Sequence, residues 1–386
     1  MHSSTSGYDL AVVGAGIVGL AHALAAVRRG KKVVVIDRDA AANGASIRNF
    51  GFVTVTGQQA GQCWHRAMRS RDIWAEVAPA AGIRVEHAGL CMVARRPEAM
   101  RVLEAFAATE MGGGCELLTP QAAVKRVPAL RQGEIVGALW SPHELRVESR
   151  DAIPRLAAWL AEAHGITFLR STLVKDVRLP DIHTTRGVIH AECVVVCPGH
   201  DFLTLYPERV AAFGLTTCKL HMMRVRPASP MRLGTAVMSD LGLVRYLGYA
   251  ELPEAAALKA RLAAEQSDHL ANGIHLIAVQ SADGSLVVGD SHHYGETVDP
   301  FAPTAVDDLI MDEFDRVLDM PGRSIAERWT GTYASAADRL MLIDRPSDRE
   351  RIVIITSGTG ASTAFAIAEE VVAELFQSTP ARGART

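Results

Sequence analysis

The stretch Asp9-Leu10-Ala11-Val12-Val13-Gly14-Ala15-Gly16-Ile17-Val18-Gly19 decides the architecture. Asp9 to Val13 reads as a short buried strand, and a glycine-spaced turn follows at once. Leu20 to Arg29 then has a helical pattern that stops at Gly30, and Lys31 to Ile36 is a second strand ending on Asp37. A lone GxGxxG is weak, because glycines also build ordinary turns. Here it lies between strand and helix, with an acidic residue 18 positions after Gly19, and that context specifies a dinucleotide-binding unit.

Each residue of the unit has a physical task. Gly14 permits the tight turn, Gly16 lets the backbone approach a pyrophosphate, and Gly19 lets helix pack on strand. The free N–H groups at the helix start face the phosphates, so Ala15, Ile17 and Val18 are expected at the cofactor as well. Asp37, followed by Arg38, is placed to accept hydrogen bonds from the ribose hydroxyls. FAD and NAD both satisfy this unit.

Length and composition bound the rest. A chain of 386 residues accommodates two lobes around a cleft, and 48% hydrophobic with 22% charged residues is a globular balance. The net charge of -3 argues against a nucleic-acid-binding surface. No apolar run reaches membrane-spanning length, and no signal-peptide pattern is visible. The six cysteines (Cys63, Cys91, Cys115, Cys193, Cys197 and Cys218) form no CxxC, and Cys193 and Cys197 sit in strand-like runs as buried thiols. A cytoplasmic protein is expected, with its oligomeric state open.

Three further segments separate FAD from NAD. The first is Gly44-Ala45-Ser46-Ile47-Arg48-Asn49-Phe50-Gly51. The second is a helical stretch from Val147 towards Phe168, stopping at Gly165, then Ser171-Thr172-Leu173-Val174 and the strand Val194-Val195-Val196-Cys197-Pro198-Gly199. The third is Ile352 to Ser362, a strand meeting the turn Ser357-Gly358-Thr359-Gly360-Ala361-Ser362, with a helix expected over Thr363 to Phe376. In this order the motifs resemble the FAD-dependent D-amino-acid oxidase, glycine oxidase and sarcosine oxidase superfamily over nearly the whole chain.

The resemblance implies that Ala45 and Ser46 lie against the flavin, that the Val174 backbone meets the adenine, and that the turn at Gly199 closes over the dinucleotide. It also implies that the helix start at Gly358, Gly360, Ala361 and Ser362 stabilises negative charge on the reduced flavin. NAD enzymes do not need such a returning strand-turn-helix. The expected fold is α/β: a Rossmann-like FAD-binding domain with a substrate domain on a mixed or antiparallel sheet. Residues 1–85, 146–215 and 325–386 would form the discontinuous cofactor domain, and 86–145 with 216–324 the substrate domain. In the latter, Leu276 to Val279 and Ser285 to Val288 read as strands joined by a hairpin turn at Asp283-Gly284. Glu251 to Glu265 and Val306 to Leu318 read as helices.

The family chemistry implies that an amine loses a hydride from its α-carbon to the flavin and that the imine hydrolyses. Oxygen or another acceptor then takes the electrons. No general base is nominated. Glu327-Arg328-Trp329-Thr330-Gly331-Thr332-Tyr333-Ala334 departs from the family. Tyr333 stands where glycine-oxidase-like members carry a carboxylate-binding arginine, and a phenol is a poor substitute for that fork. Gly331, also expected at the cofactor, stands where covalent members carry a cysteine, so non-covalent FAD is expected. Thr356 to Glu369 has no lysine or arginine, so a second family anchor is missing too.

These departures, with the Ser46 to Gly51 loop, resemble a bacterial subgroup associated with phosphonate breakdown. The implied substrate is a small anionic amine, 2-aminoethylphosphonate or its N-methyl derivative, oxidised to phosphonoacetaldehyde. Arg48, Asn49 and Tyr333 are nominated for the reacting end, with Arg48 first for the anion. Lys219 and His221, two apart on a strand, share a face expected near the cleft. Arg245, Tyr246, Tyr249 and His292 are further candidates, although a His292-His293 pair at a strand end reads as a solvated turn. A metal at Asp290, His292 and His293 is rejected for want of a closed ligand set. A sarcosine- or glycine-type enzyme, an NAD-dependent dehydrogenase and a non-catalytic flavin-binding regulator are the competing readings.

Overall fold

The computed structural model describes residues 7–377. The serine-rich start and the arginine/glycine end lie outside the described residues. Two sheets organise the chain. The first has Tyr8–Val13 at its centre, paired in parallel with Val33–Ile36 on one side and Gly187–Val196 on the other. Thr167–Leu169 extends one edge in parallel, and Glu350–Ile355 extends the other before an antiparallel Met341–Ser347. The central strands are buried on both faces, so they read as unbroken Val/Ile/Leu runs rather than as alternation.

The helix Ile17–Val27 crosses from the first strand to the second. It begins three residues before the expected Leu20, because Gly16 is extended (φ -76°) and the helical hydrogen bonds start from its carbonyl. The predicted second helix is Ser149–His164, ended by Gly165 in the left-handed conformation at φ 66°. The closing helix, Gly360–Gln377, packs on the opening helix and on Gln62–Ala80. Trp74 and Phe365 meet edge-to-face at 5.2 Å within that layer.

The second sheet is mixed. Its order runs His293–Gly295, Thr216–Arg226, Leu286–Gly289, Ile277–Gln280, Ala236–Met238, Val85–Ala94, Gly137–Val147 and Phe52–Val53. Only Ala236–Met238 with Val85–Ala94 is parallel within it. The predicted hairpin at Asp283-Gly284 joins two of its strands, and Thr304–Val317 fulfils the helix read over Val306 to Leu318. Ser324–Ser335 lies antiparallel along the whole of Thr216–Arg226. The C-terminal third of the chain therefore contributes to both sheets. Among the described residues no helix is long and apolar enough to cross a membrane.

Candidate active site

One cavity of about 800 Å³ runs from the Gly14–Gly19 turn to a tyrosine- and histidine-lined inner end. Its cofactor-side wall is built of positions where a side chain would not fit. Gly14 has φ +103°, and a Cβ on it would overlap the Cys197 carbonyl. A Cβ on Gly19 would overlap the Gly14 carbonyl and stand 3.2 Å from Val12 Cγ1. Helix and strand thus touch through bare backbone, as the pattern requires.

The remaining cofactor candidates gather on the same cavity except Ala15, which is fully buried behind its lining and acts through Asp37. Ala15 N–H donates to Asp37 Oδ2 at 2.6 Å, and Asp39 N–H donates to Oδ1 at 2.8 Å, which fixes the Asp37 carboxylate at the cavity wall. Ile17 N–H donates to Ser46 Oγ at 2.9 Å, tying the Gly44–Gly51 loop to the helix start. Arg38 pairs with Asp201 at 2.6 Å at the rim, and Val174 and Gly199 line the wall beyond. On the opposite side, Gly358 has φ +72° and faces the Tyr333 ring, where a Cβ would come within 3.2 Å of Cζ. Gly360 opens the closing helix onto the cavity, while Ala361 O accepts from Trp74 Nε1 at 2.8 Å and Ser362 Oγ from Thr54 N–H at 2.9 Å. Gly331 approaches Arg48, whose carbonyl oxygen lies 3.0 Å from the position of a Cβ there.

Two helix N-termini facing one elongated cavity suit a dinucleotide that carries both a pyrophosphate and a ring that becomes anionic on reduction. Two sterically required glycines, a fixed acidic side chain and this paired polarity make the residues present a fit for FAD.

The inner end is polar and enclosed. Arg245 Nη2 donates to the Tyr294 hydroxyl at 3.0 Å, and among the described residues no carboxylate reaches ion-pair distance of that guanidinium. Burial works against its charge, but the neighbouring Tyr294, Tyr333 and Asp290 side chains favour it by more, and the guanidinium stays charged. Burial pushes the Asp290 carboxyl up to about 8, against the pull of Arg245. Burial, and then the Arg245 charge, keep the His275 and His292 imidazoles well below the ordinary imidazole range, so both are neutral. The Tyr246 ring lies 5.4 Å from that of His275, and Tyr333 stands 6.4 Å from His292. Burial raises both phenols, which therefore remain hydrogen-bond donors.

Several sequence-based nominees are placed differently. Lys219 and His221 do share a face, but it is the face turned away from the cavity. Lys219 Nζ donates to the Asp299 and Phe301 carbonyls at 2.8 and 2.7 Å, and His221 Nδ1 meets Asp307 Oδ1 at 3.0 Å. The segment leading into Thr304–Val317 covers that face, leaving the intervening Leu220 on the cavity. Tyr249 is fully buried against Phe106 at 4.6 Å and does not line the site, unlike Tyr246. Asn49 lines the cavity but its amide is engaged: Nδ2 donates to Ala45 O at 2.7 Å, and Oδ1 accepts from Gly51 N–H at 2.6 Å and Ser149 Oγ at 2.9 Å. It braces the loop. Arg48 reaches the cavity with Nη2 on Asn43 Oδ1 at 2.8 Å.

His292 is not in a solvated turn; it is 7% exposed and lines the cavity. His275 joins Asp290 and His292 in a buried group with ligand atoms within 4.8 Å of one another, a grouping that the sequence reading, which paired Asp290 and His292 with His293, did not bring together. His293 instead turns to Asn272 Oδ1 at 3.1 Å. Sequence reasoning missed His275, Tyr294 and His200 and weighed Asp290 only as a metal ligand; all four line the cavity. The hairpin supplied a usable signal, since counting outward from Asp283-Gly284 brings His275 level with His292 and within two residues of Asp290, with which it pairs.

Fold and cavity together define a dinucleotide-dependent oxidoreductase of the flavin type. The sequence pattern of the DAO family, FAD dependent oxidoreductase, matches residues 9–375, and the chain belongs to that family. It is similar in structure to glycine oxidase from Bacillus cereus ATCC 14579, with 17% identity, TM-score 0.76 and 96% of each chain covered. It is likewise similar to L-proline dehydrogenase from P. horikoshii, with 20% identity and TM-score 0.77 over 97% of this chain and 94% of that one. L-alpha-glycerophosphate oxidase from Mycoplasma pneumoniae, solved with FAD bound, aligns at 16% identity and TM-score 0.72, covering 96% and 95%. No protein of curated function matches by sequence.

Proposed function

We propose that the protein oxidises a small amine carrying an anionic group, with 2-aminoethylphosphonate or its N-methyl derivative as substrate and oxygen as acceptor. The observation that carries this reading is Arg245, a charged guanidinium on the cavity whose near partner is a phenol and, among the described residues, no carboxylate. A guanidinium offers five donors, and most of Arg245's remain for a phosphonate or carboxylate. Tyr246 and Tyr294 add hydroxyl donors beside it, as a three-oxygen anion requires. FAD, held non-covalently between the Gly14–Gly19 turn and the closing helix, supplies the acceptor for a hydride from the substrate α-carbon.

The protein's own residues bind and orient. Arg245 anchors the anion, Tyr333 and Leu220 exclude water from one side, and the Gly44–Gly51 loop fixes the approach to the cofactor. The imine product takes up water to give phosphonoacetaldehyde and ammonia or methylamine. The cofactor domain is assigned to residues 1–85, 146–215 and 325–386, with the substrate domain between them.

A second reading, a sarcosine- or glycine-type enzyme, is favoured by the similarity to glycine oxidase, because the Arg245 fork would equally hold a carboxylate. Oxygen uptake and hydrazone-trapped aldehyde, measured with 2-aminoethylphosphonate, its N-methyl form, sarcosine and glycine, separate the two. Phosphonoacetaldehyde from an aminophosphonate supports the proposal. Turnover confined to sarcosine and glycine replaces it with the second reading.

A further inference from the structure

We propose that His275, Asp290 and His292 form a binding site for a zinc-like divalent cation at the inner end of the cavity, with a coordination position open towards Arg245 for an anionic ligand. The site stands on its own geometry and does not depend on the amine reading.

The spacing fits the ion. His275 Nδ1 lies 3.1 Å from Asp290 Oδ1, and His292 Nε2 lies 3.7 Å from Asp290 Oδ2. A tetrahedral ion with bonds of about 2.0–2.1 Å sets its ligand atoms roughly 3.3–3.4 Å apart. The two observed separations run to the two different oxygens of Asp290, and one ligand atom from each residue lies within 4.8 Å of the others, so small side-chain rotations close the group on an ion. All three residues are almost completely buried, at 2%, 4% and 7% exposure.

The donor atoms are also left over by the protein. His275 Nδ1 and Asp290 Oδ1 are buried without a hydrogen-bond partner, although they face one another. Buried polar atoms are nearly always satisfied, and an ion between them would satisfy both at once. His292 Nδ1 is occupied by the Gly273 carbonyl at 2.9 Å, which assigns the lone pair to Nε2, the atom facing Asp290. A carbonyl on the far ring nitrogen is the usual outer support of a metal-bound histidine. The backbone holds the frame: His275 and Asp290 exchange N–H···O bonds of 3.3 and 3.1 Å, and His292 N–H donates to Asn272 O at 3.0 Å.

The donor set selects the ion class. Two imidazoles and one carboxylate suit zinc and its transition-metal neighbours, whereas calcium and magnesium require a shell of oxygens. Three protein ligands leave the fourth position to solvent or a ligand, as in catalytic rather than structural zinc sites. A divalent ion against one carboxylate leaves a positive centre beside Arg245. A dianion such as a phosphonate would offset both charges by bridging them.

The test uses the flavin-loaded protein, treated with chelator and titrated with zinc by calorimetry, with X-ray absorption on the loaded sample. Expected is one saturable ion per chain, bound at least about 100-fold more weakly by His275→Gln and Asp290→Asn, with two imidazoles in the absorption spectrum. Circular dichroism and flavin content establish that the variants are folded; if they are not, the wild-type absorption spectrum alone decides. No saturable zinc in the wild type, equal affinity in the variants, or a spectrum without two imidazoles overturns the site.

Discussion

Replacing Arg245 separates binding of the anion from binding of the cofactor. Arg245 spends one donor on Tyr294 at 3.0 Å and among the described residues has no carboxylate at ion-pair distance, so its loss breaks no ion pair there. A hydrogen bond to a charged group contributes about 1.5–3 kcal/mol. A lysine keeps the charge but loses the two-point fork, which is about one such bond and a weakening of roughly 10- to 150-fold. Methionine removes both bonds, about 3–6 kcal/mol, or roughly 10²- to 10⁴-fold. The assay is the substrate dependence of anaerobic flavin reduction in stopped flow, which gives an apparent Kd apart from the rate. Arg245→Met should raise that Kd steeply while flavin content stays unchanged, and Arg48→Ala should raise it less, since Arg48 is already engaged with Asn43. An unchanged Kd in Arg245→Met with a large rise in Arg48→Ala would refute the assignment of the anion to Arg245.

Other consequences follow from the same structure. Gly19→Ala places a methyl against the rigid Gly14 carbonyl, an overlap that small side-chain shifts cannot relieve, so the purified variant should be flavin-free or insoluble. Full flavin occupancy by absorbance would contradict that role. Arg96 bonds both oxygens of the fully buried Asp240 at 2.9 and 3.1 Å, and Arg96→Ala should cost about 3 kcal/mol in urea unfolding by leaving that carboxylate only the Arg95 N–H at 3.1 Å and the more distant Arg95 guanidinium at 4.0 Å. A change under about 1 kcal/mol would show that the site rehydrates. Tyr333→Arg, beside Gly358 and His292, should raise turnover of glycine or sarcosine relative to 2-aminoethylphosphonate. An unaltered ratio of kcat/KM values would remove Tyr333 from substrate selection.

The cofactor half of the site was legible because its constraints are local. A turn that must run Gly14 to Gly19 between strand and helix is written in consecutive residues, and so is the turn at Gly358 and Gly360. The substrate half depends on which side of a sheet is covered. Alternation places Lys219 and His221 on one face, but only the packing of the Asp299–Asp307 region reveals that this face looks away from the cavity. Tyr246 and Tyr249 are three apart in a short turn, and one lines the cavity while the other packs on Phe106. His275 and Asp290 are far apart in sequence, and only the hairpin register joins them. Asn49 looked like chemistry and proved to be a brace, because a small polar residue before a glycine at φ +64° serves its own loop first.

The most direct test is anaerobic mixing of the flavin-loaded protein with 2-aminoethylphosphonate and with its α-dideuterated form. The account predicts bleaching of the flavin by the aminophosphonate and slower bleaching by the deuterated compound, as hydride loss from that carbon requires. A flavin left oxidised by 2-aminoethylphosphonate, its N-methyl form, sarcosine, glycine and D-alanine alike would contradict the amine-oxidising role itself.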